Sequence, residues 1–461
     1  MKSNLLWIVT TCVVISTFAQ KQIAKRDVLS DLDFLHQSLE DIHIDLYAYI
    51  TKDAFNAHVD AVRSSISKDS LSLLKVTSLL QSVISKVNNG HTEIFFPGAS
   101  YGAYATSGGT LFPLELAFEN GKALVRKNWS ANDKIQVGDE VLSIDNVSIR
   151  AVLENIFPHV SAERNYFKLA KMELISFPRL FWQAFGEQKD YSVKIRNDVG
   201  ELHEFGLRAV QLIEGYEMKR QEIFDQKRHL KFMANEVAYL NPGHFSGNEE
   251  AYKHFIDSTF TEINKNNVSN LIIDLRNNLG GDDTFSNYLV SYIANKPFKW
   301  CSEFKLKTSA VLKNHVKQNY DVTSPFWQSI MTHANGTVYP YSFELYMPQP
   351  VKKRYIGQVY VLINRQTHSQ AAVTAAQIQD YGLATVVGEE TGDFPSLYAS
   401  QFSYVLPKTG IEVKVAKGHI TRVNGSKKPE GVIPDICIND RLLDETDEIL
   451  DGLLRLIKTK S

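Results

Sequence analysis

The sequence predicts an α/β core preceded by a helical region and a small β-rich domain, and three observations carry this reading. From about residue 235 onward, apolar strand-like runs alternate with helix-like runs. "LIIDLRNNLGG" precedes "DTFSNYLVSYIA", and "QVYVLINRQTHSQAAVTAAQIQDYG" precedes "ATVVGEE". Strand, turn and helix in repeated order indicate a mostly parallel sheet covered by helices. Residues 25–87 are rich in Leu, Ile, Val and Ser with charges at helical spacing, which predicts two or three amphipathic helices. Residues 110–210 break into short apolar runs separated by Gly, Asn and Asp, the pattern of a small β-rich domain.

Taken in order, the first segment is "MKSNLLWIVTTCVVISTFAQ". One lysine, an apolar run from Leu5 to Ile15 and small residues at Thr17 and Ala19 make residues 1–19 a secretory signal peptide. The run is shorter than the roughly 20 residues a spanning helix needs. The expectation is an exported chain, periplasmic or extracellular, with no stable membrane insertion after cleavage. Residues 20–98 form the helical region, ending in the "GHT" turn, and residues 99–215 the β-rich domain. Within the latter, "IQVGDEVLSIDNVSI" (135–149) resembles the PDZ segment in which a Gly-Asp turn leads into a strand. Residues 216–440 hold the α/β core, and 441–461 an amphipathic helix expected to dock on it.

Composition narrows the function. A chain of 461 residues is too long for one core. With 50 Lys and Arg against 52 Asp and Glu, a net charge of −2 gives nucleic acid no basic stripe to bind. Beyond the signal only Cys301 and Cys437 remain, paired or as free thiols, and one pair is no disulfide framework. There is no C-x-x-C and no H-E-x-x-H, so neither a metal nor another cofactor is expected.

Ser369 in "NRQTHSQAAV" stands between an apolar strand and a helix. It reads either as a helix cap or as a nucleophile displayed at the turn. "DLRNNLGG" ends a second strand, and its adjacent glycines allow backbone N–H groups to approach a ligand closely. An acyl-transfer intermediate needs such donors, and Gly280 or Gly281 with the N–H of Gln370 would supply an oxyanion hole. The serine also needs a base. His91, His244, His368, His419 and any nearby Lys are the candidates. His368 is adjacent, but neighbours on an extended segment point in opposite directions. Arg276 and Asp274 read as structural partners around the glycine turn.

In order along the chain, "NNGHT", the PDZ-like insert, "LIIDLRNNLGG", "VLINRQTHSQAAVTAA", "ATVVGEETG" and "PEGVIPDI" resemble a serine peptidase family. That family contains the carboxy-terminal processing (tail-specific) proteases and the tricorn core protease, and includes interphotoreceptor retinoid-binding protein-like members. The resemblance spans roughly residues 85–440. It implies a Clp-protease/crotonase-like core of ββα units, with Ser369 as nucleophile and the "DLRNNLGG" glycines at the oxyanion position. The Lys of the Ser-Lys branch is missing from "EETGDFPS". The tricorn-like branch instead implies His91 as base and Glu430 as the residue orienting it, with Glu389, Glu390 and Asp393 as substitutes. The implied function is a secreted serine peptidase acting on extended or unfolded polypeptides through an acyl-enzyme. The alternatives are a non-catalytic binding protein for hydrophobic ligands or peptide termini and, last, crotonase-type acyl-thioester chemistry.

Overall fold

The computed structural model describes residues 22–224, 227–234 and 236–460, so the expected signal peptide lies outside the described residues. The amphipathic pattern of the N-terminal region gives helices Lys25–Ile42, Lys52–Ser65 and Leu73–Ser85. Val28, Leu32, Leu35, Leu39 and Ile42 recur at helical spacing and are all buried. Thr51 and Ser72 cap the second and third helices, their hydroxyls accepting from Ala54 and Lys75 N–H. The apolar faces pack against Phe402, Val413 and Val415 of a four-stranded sheet built from Val338–Pro340, Glu303–Lys307, Glu412–Thr421 and Leu397–Val405.

The β-rich domain is an antiparallel sheet of Leu114–Glu119, Lys122–Asn128, Glu140–Ile144, Asp190–Arg196 and Leu202–Arg208, in that spatial order. It is less purely β than the sequence reading has it. Helices Ile149–Ile156, Asn165–Ile175 and Phe177–Phe185 are inserted between its third and fourth long strands. Phe177, Leu180 and Phe181 cover one face of the sheet.

The core sheet runs Ile436–Cys437, Thr385–Gly388, Gln358–Ile363, Asn270–Asp274, Val237–Asn241, His229–Met233, parallel except for the last strand. "VYVLI" and "LIID" are continuous apolar runs because both faces are covered. Helices Glu249–Lys265, Asp283–Ser291 and Gln370–Asp380 cover one face. On the other lies helix Glu448–Lys460, docked through Ile449, Leu453 and Ile457 as its amphipathic pattern predicts. Cys301 is buried, Cys437 is exposed, and both are free thiols. Among the described residues no helix is long and apolar enough to cross a membrane.

Candidate active site

Two strand-end turns meet at the C-terminal edge of the core sheet. The turn after Gln358–Ile363 is tied by the Asn364 N–H to Thr367 Oγ1 (3.0 Å) and by the Thr367 hydroxyl to Leu275 O (2.9 Å). The His368 N–H donates to Asn278 O at 3.0 Å, joining this turn to the glycine turn. Ser369 follows at φ 54° and ψ −127°, a left-handed conformation that L-residues rarely adopt. It occupies the N-cap position of helix Gln370–Asp380, yet its side chain makes no capping hydrogen bond. The hydroxyl is therefore displayed, not spent on the helix.

Gly280 is pressed against it. A Cβ there would fall 2.7 Å from Gln370 N, His368 O and Ser369 Cβ, and its φ is +82°. At Gly281, with φ +138°, a Cβ would lie 1.9 Å from Phe245 O. Only glycine allows this approach. The Gly280 N–H itself donates to Asn278 Oδ1 (2.9 Å), while the Leu279 N–H is braced by His244 Nδ1 (3.1 Å).

His91 arrives from the N-terminal region. Asn88 takes φ 51° to start its turn, and the Thr92 hydroxyl accepts from Ala416 N–H at 3.1 Å. Glu93 and Lys414 exchange backbone hydrogen bonds of 2.9 Å. The β-rich domain clamps the same turn, with Glu163 Oε1 accepting from Gly90 N–H (2.8 Å) and Lys171 Nζ donating to Gly90 O (2.7 Å). His91 is 2% exposed and neither ring nitrogen has a hydrogen-bond partner. Its ring stacks on His368, with centroids 4.8 Å apart and planes 9° from parallel.

Asp393 lies under both rings, fully buried, with Oδ2 3.0 Å from His368 Nδ1 and 3.8 Å from His91 Nε2. The same oxygen accepts the Ser369 N–H at 2.8 Å, and Oδ1 accepts the Phe394 N–H at 2.9 Å. Burial pushes this carboxyl up, but the facing imidazoles of His368 and His91 and the donated N–H groups outweigh it. Asp393 is accordingly held below the ordinary carboxylate range. Burial pushes His91 down to about 3, opposed by Asp393, so its ring is neutral at physiological pH. Glu163 is pushed up to about 7, first by burial and then by the Asp393 charge.

His91, His368 and Asp393 form the one cluster of metal-ligating groups among the described residues, their ligand atoms within 4.8 Å of one another. Ring nitrogens bind metals in the ring plane, and two nearly parallel stacked planes share no such point. The cluster fits proton transfer better than coordination.

The structure brings Ser369, Gln370, Gly280 and Gly281 together and sets His91 against His368 and Asp393, with neither His91 ring nitrogen hydrogen-bonded to Ser369. It does not bring Glu430 there. That side chain is 44% exposed, 3.6 Å from Lys428, and the carboxylate under the histidines is Asp393. Of the other substitutes, Glu389 pairs with Arg365 and Glu390 with Arg164. Asp274 binds Arg276, as expected of structural partners. His419 faces a different cavity, toward Tyr398. His368 is nearer the cluster than its place beside Ser369 predicts, because the left-handed Ser369 turns the chain and leaves the His368 ring over Asp393. Glu163, Arg164 and Lys171, in "SAERNYFKLAK", are absent from the sequence reading, and no spacing there marks them.

Ser369, Gln370, Gly280, Gly281 and His368 line a cavity of about 1040 Å³, together with the aromatic residues Trp300, Phe304, Phe326 and Phe343.

Residues 236–438 match peptidase family S41. None of the curated proteins matches the sequence. Among solved structures, mature CPAF is similar with a TM-score of 0.63 at 16% identity, over 94% of this chain and 96% of that one. The photosystem II D1 C-terminal processing protease aligns over 94% and 97% at 15% identity, TM-score 0.43. The tricorn protease aligns over 94% of this chain and 37% of its own at 12% identity, TM-score 0.38. Residues 236–438, somewhat less than half of the chain, thus match the peptidase family S41, within a fold that is similar along most of its length to that of mature CPAF.

Proposed function

We propose that the protein is an exported serine peptidase that hydrolyses extended or unfolded polypeptides through an acyl-enzyme on Ser369. The observation that carries this reading is the displayed serine. It is held at φ 54° with no capping hydrogen bond from its hydroxyl, its N–H on Asp393 and the glycine turn against it. Ser369 Oγ attacks the peptide carbonyl carbon while the neutral His91 ring takes the hydroxyl proton. The Gly280 N–H is already engaged, so the oxyanion falls to the N–H groups of Gly281 and Gln370. His91 then protonates the leaving amine, and a water activated by the same ring releases the acid. Asp393 takes the orienting role that the resemblance gives to Glu430, stabilising the imidazolium through its contact with both rings. The β-rich segment 99–215 serves as a PDZ-like module that adds the substrate as a strand.

The 3.0 Å contact of His368 with Asp393 favours a second assignment of the base, and one experiment separates the two. Ser369→Ala is expected to abolish hydrolysis of an unfolded protein substrate, with circular dichroism unchanged; retained hydrolysis rejects the mechanism. His91→Ala should lower kcat by about 10⁴ or more, and His368→Ala by much less. The reverse order makes His368 the base. Labelling of Ser369 by a fluorophosphonate separates the enzyme from a binding protein on the same fold.

A further inference from the structure

The cavity that Ser369 lines contains a lysine that the proposed chemistry does not use. Lys417, on strand Glu412–Thr421, is 3% exposed. Among the described residues no carboxylate lies within ion-pair distance of it. Its Nζ donates to Ser400 O (2.5 Å) and Ser400 Oγ (2.9 Å) and sits 5.8 Å from the Trp327 ring centroid. Two of its three N–H donors are thereby used, and one remains.

The neighbouring strand is distorted to hold it. Pairing runs Ala399 to Gly418 and then Gln401 to Ala416, so the register is kept, but Ser400, which faces Lys417, leaves the paired ladder at φ 53°. A left-handed serine in a strand is costly, and here it turns both oxygens toward the ammonium. Lys417 and Ser400 share the cavity with Ser369, amid Trp300, Phe304 and Phe326. The acids on that cavity are committed elsewhere: Glu93 to Lys171, Asp283 to Tyr346, and Asp282 to the cap of its helix. A buried ammonium without a counter-charge is unfavourable, and a ligand carboxylate relieves it.

We propose that Lys417 is a specificity-determining residue that pairs with a carboxylate of the polypeptide substrate, seated in the aromatic pocket beside Ser369. This rests on the peptidase reading. The carboxylate belongs either to an Asp or Glu side chain near the cleaved bond or to the substrate's own C-terminus, and both present the same planar anion. Burial pushes Lys417 down to about 7, which marks the missing partner but does not identify it.

The test compares internally quenched peptides in the full chain: Glu against Gln at each position flanking the scissile bond, and a free C-terminus against its amide. Wild type should favour the carboxylate form in one of these arms by roughly thirtyfold in kcat/KM, through KM. The arm that responds identifies the source. In Lys417→Met the ratio should fall to about one, whereas Lys417→Arg should keep it. No preference in wild type, or a ratio unchanged in Lys417→Met, overturns the proposal. Fluorescence anisotropy of the same peptides on the Ser369→Ala chain tests Lys417 without hydrolysis. If wild type cleaves nothing yet the carboxylate peptides bind through Lys417, the peptidase reading fails and the pairing stands.

Discussion

At Asp393 three demands meet on one carboxylate: it accepts the Ser369 N–H, lies 3.0 Å from His368 and 3.8 Å from His91. Glu430, by contrast, has an exposed lysine for company. Asp393→Asn should lower kcat by roughly 10³-fold or more by disturbing the imidazole pair, while Glu430→Gln should stay within a few-fold of wild type. Steady-state kinetics of the two variants checks this, and a larger loss in Glu430→Gln returns the orienting role to it. Ser369 stands out in the sequence because a strand-to-helix serine is a local feature, whereas the residues leave His91 among several candidate bases and only the resemblance singles it out. The sequence left the carboxylate among four residues because which acid faces a histidine depends on how the "EETGDFPS" loop folds back. Glu163 carries no local mark at all, since its meaning comes from contacting Gly90 across 73 positions.

Secondary-structure elements deliver these residues, and the glycine turn shows how narrowly. Gly280→Ala pushes a methyl group into Gln370 N and the Ser369 Cβ, so the damage falls on the nucleophile. Gly281→Ala drives one into Phe245 O, breaking the bridge that fixes the turn to the sheet. Gly281→Ala is expected to cost about 2–4 kcal/mol in urea unfolding, and Gly280→Ala to lose proportionally more kcat/KM than stability. Alternation of apolar strands and helices made the core sheet readable, since each period is set by burial. The helices at 149–185 were hidden in a segment whose turns looked like β-hairpins, because "RAVLENIF" and "FPRLFWQAF" are too short to show a sustained period.

Across the whole molecule, buried ionisable groups set the pH response. Burial pushes His43 and His159 to about 4 and His91 to about 3, all below the ordinary 6.5. The unfolded chain takes up these protons first, so their contribution is complete above about 6.5 and is lost as pH falls toward 3. Burial also raises Glu163 and Asp440 to about 7 and Asp283 to about 6. These favour the folded state below their unfolded values and lose that effect as pH rises through 6 to 7. The two sets oppose each other between about 4.5 and 6.5. Below that window the histidines act alone, joined by the depressed Asp393. Urea midpoints should be nearly flat from pH 6.5 to 4.5 and fall steeply from 4.5 to 3; a steep decline beginning at 6.5 contradicts the balance.

Part of the seat of His91 is made by residues that follow Ser369 in the chain. Thr92 is held by Ala416, and Glu93 pairs with Lys414, both beyond Ser369. On a translating ribosome, then, Ser369 is polymerised before the strand that holds the His91 turn exists. The proposed serine–histidine arrangement can therefore form only after residue 416 has left the exit tunnel.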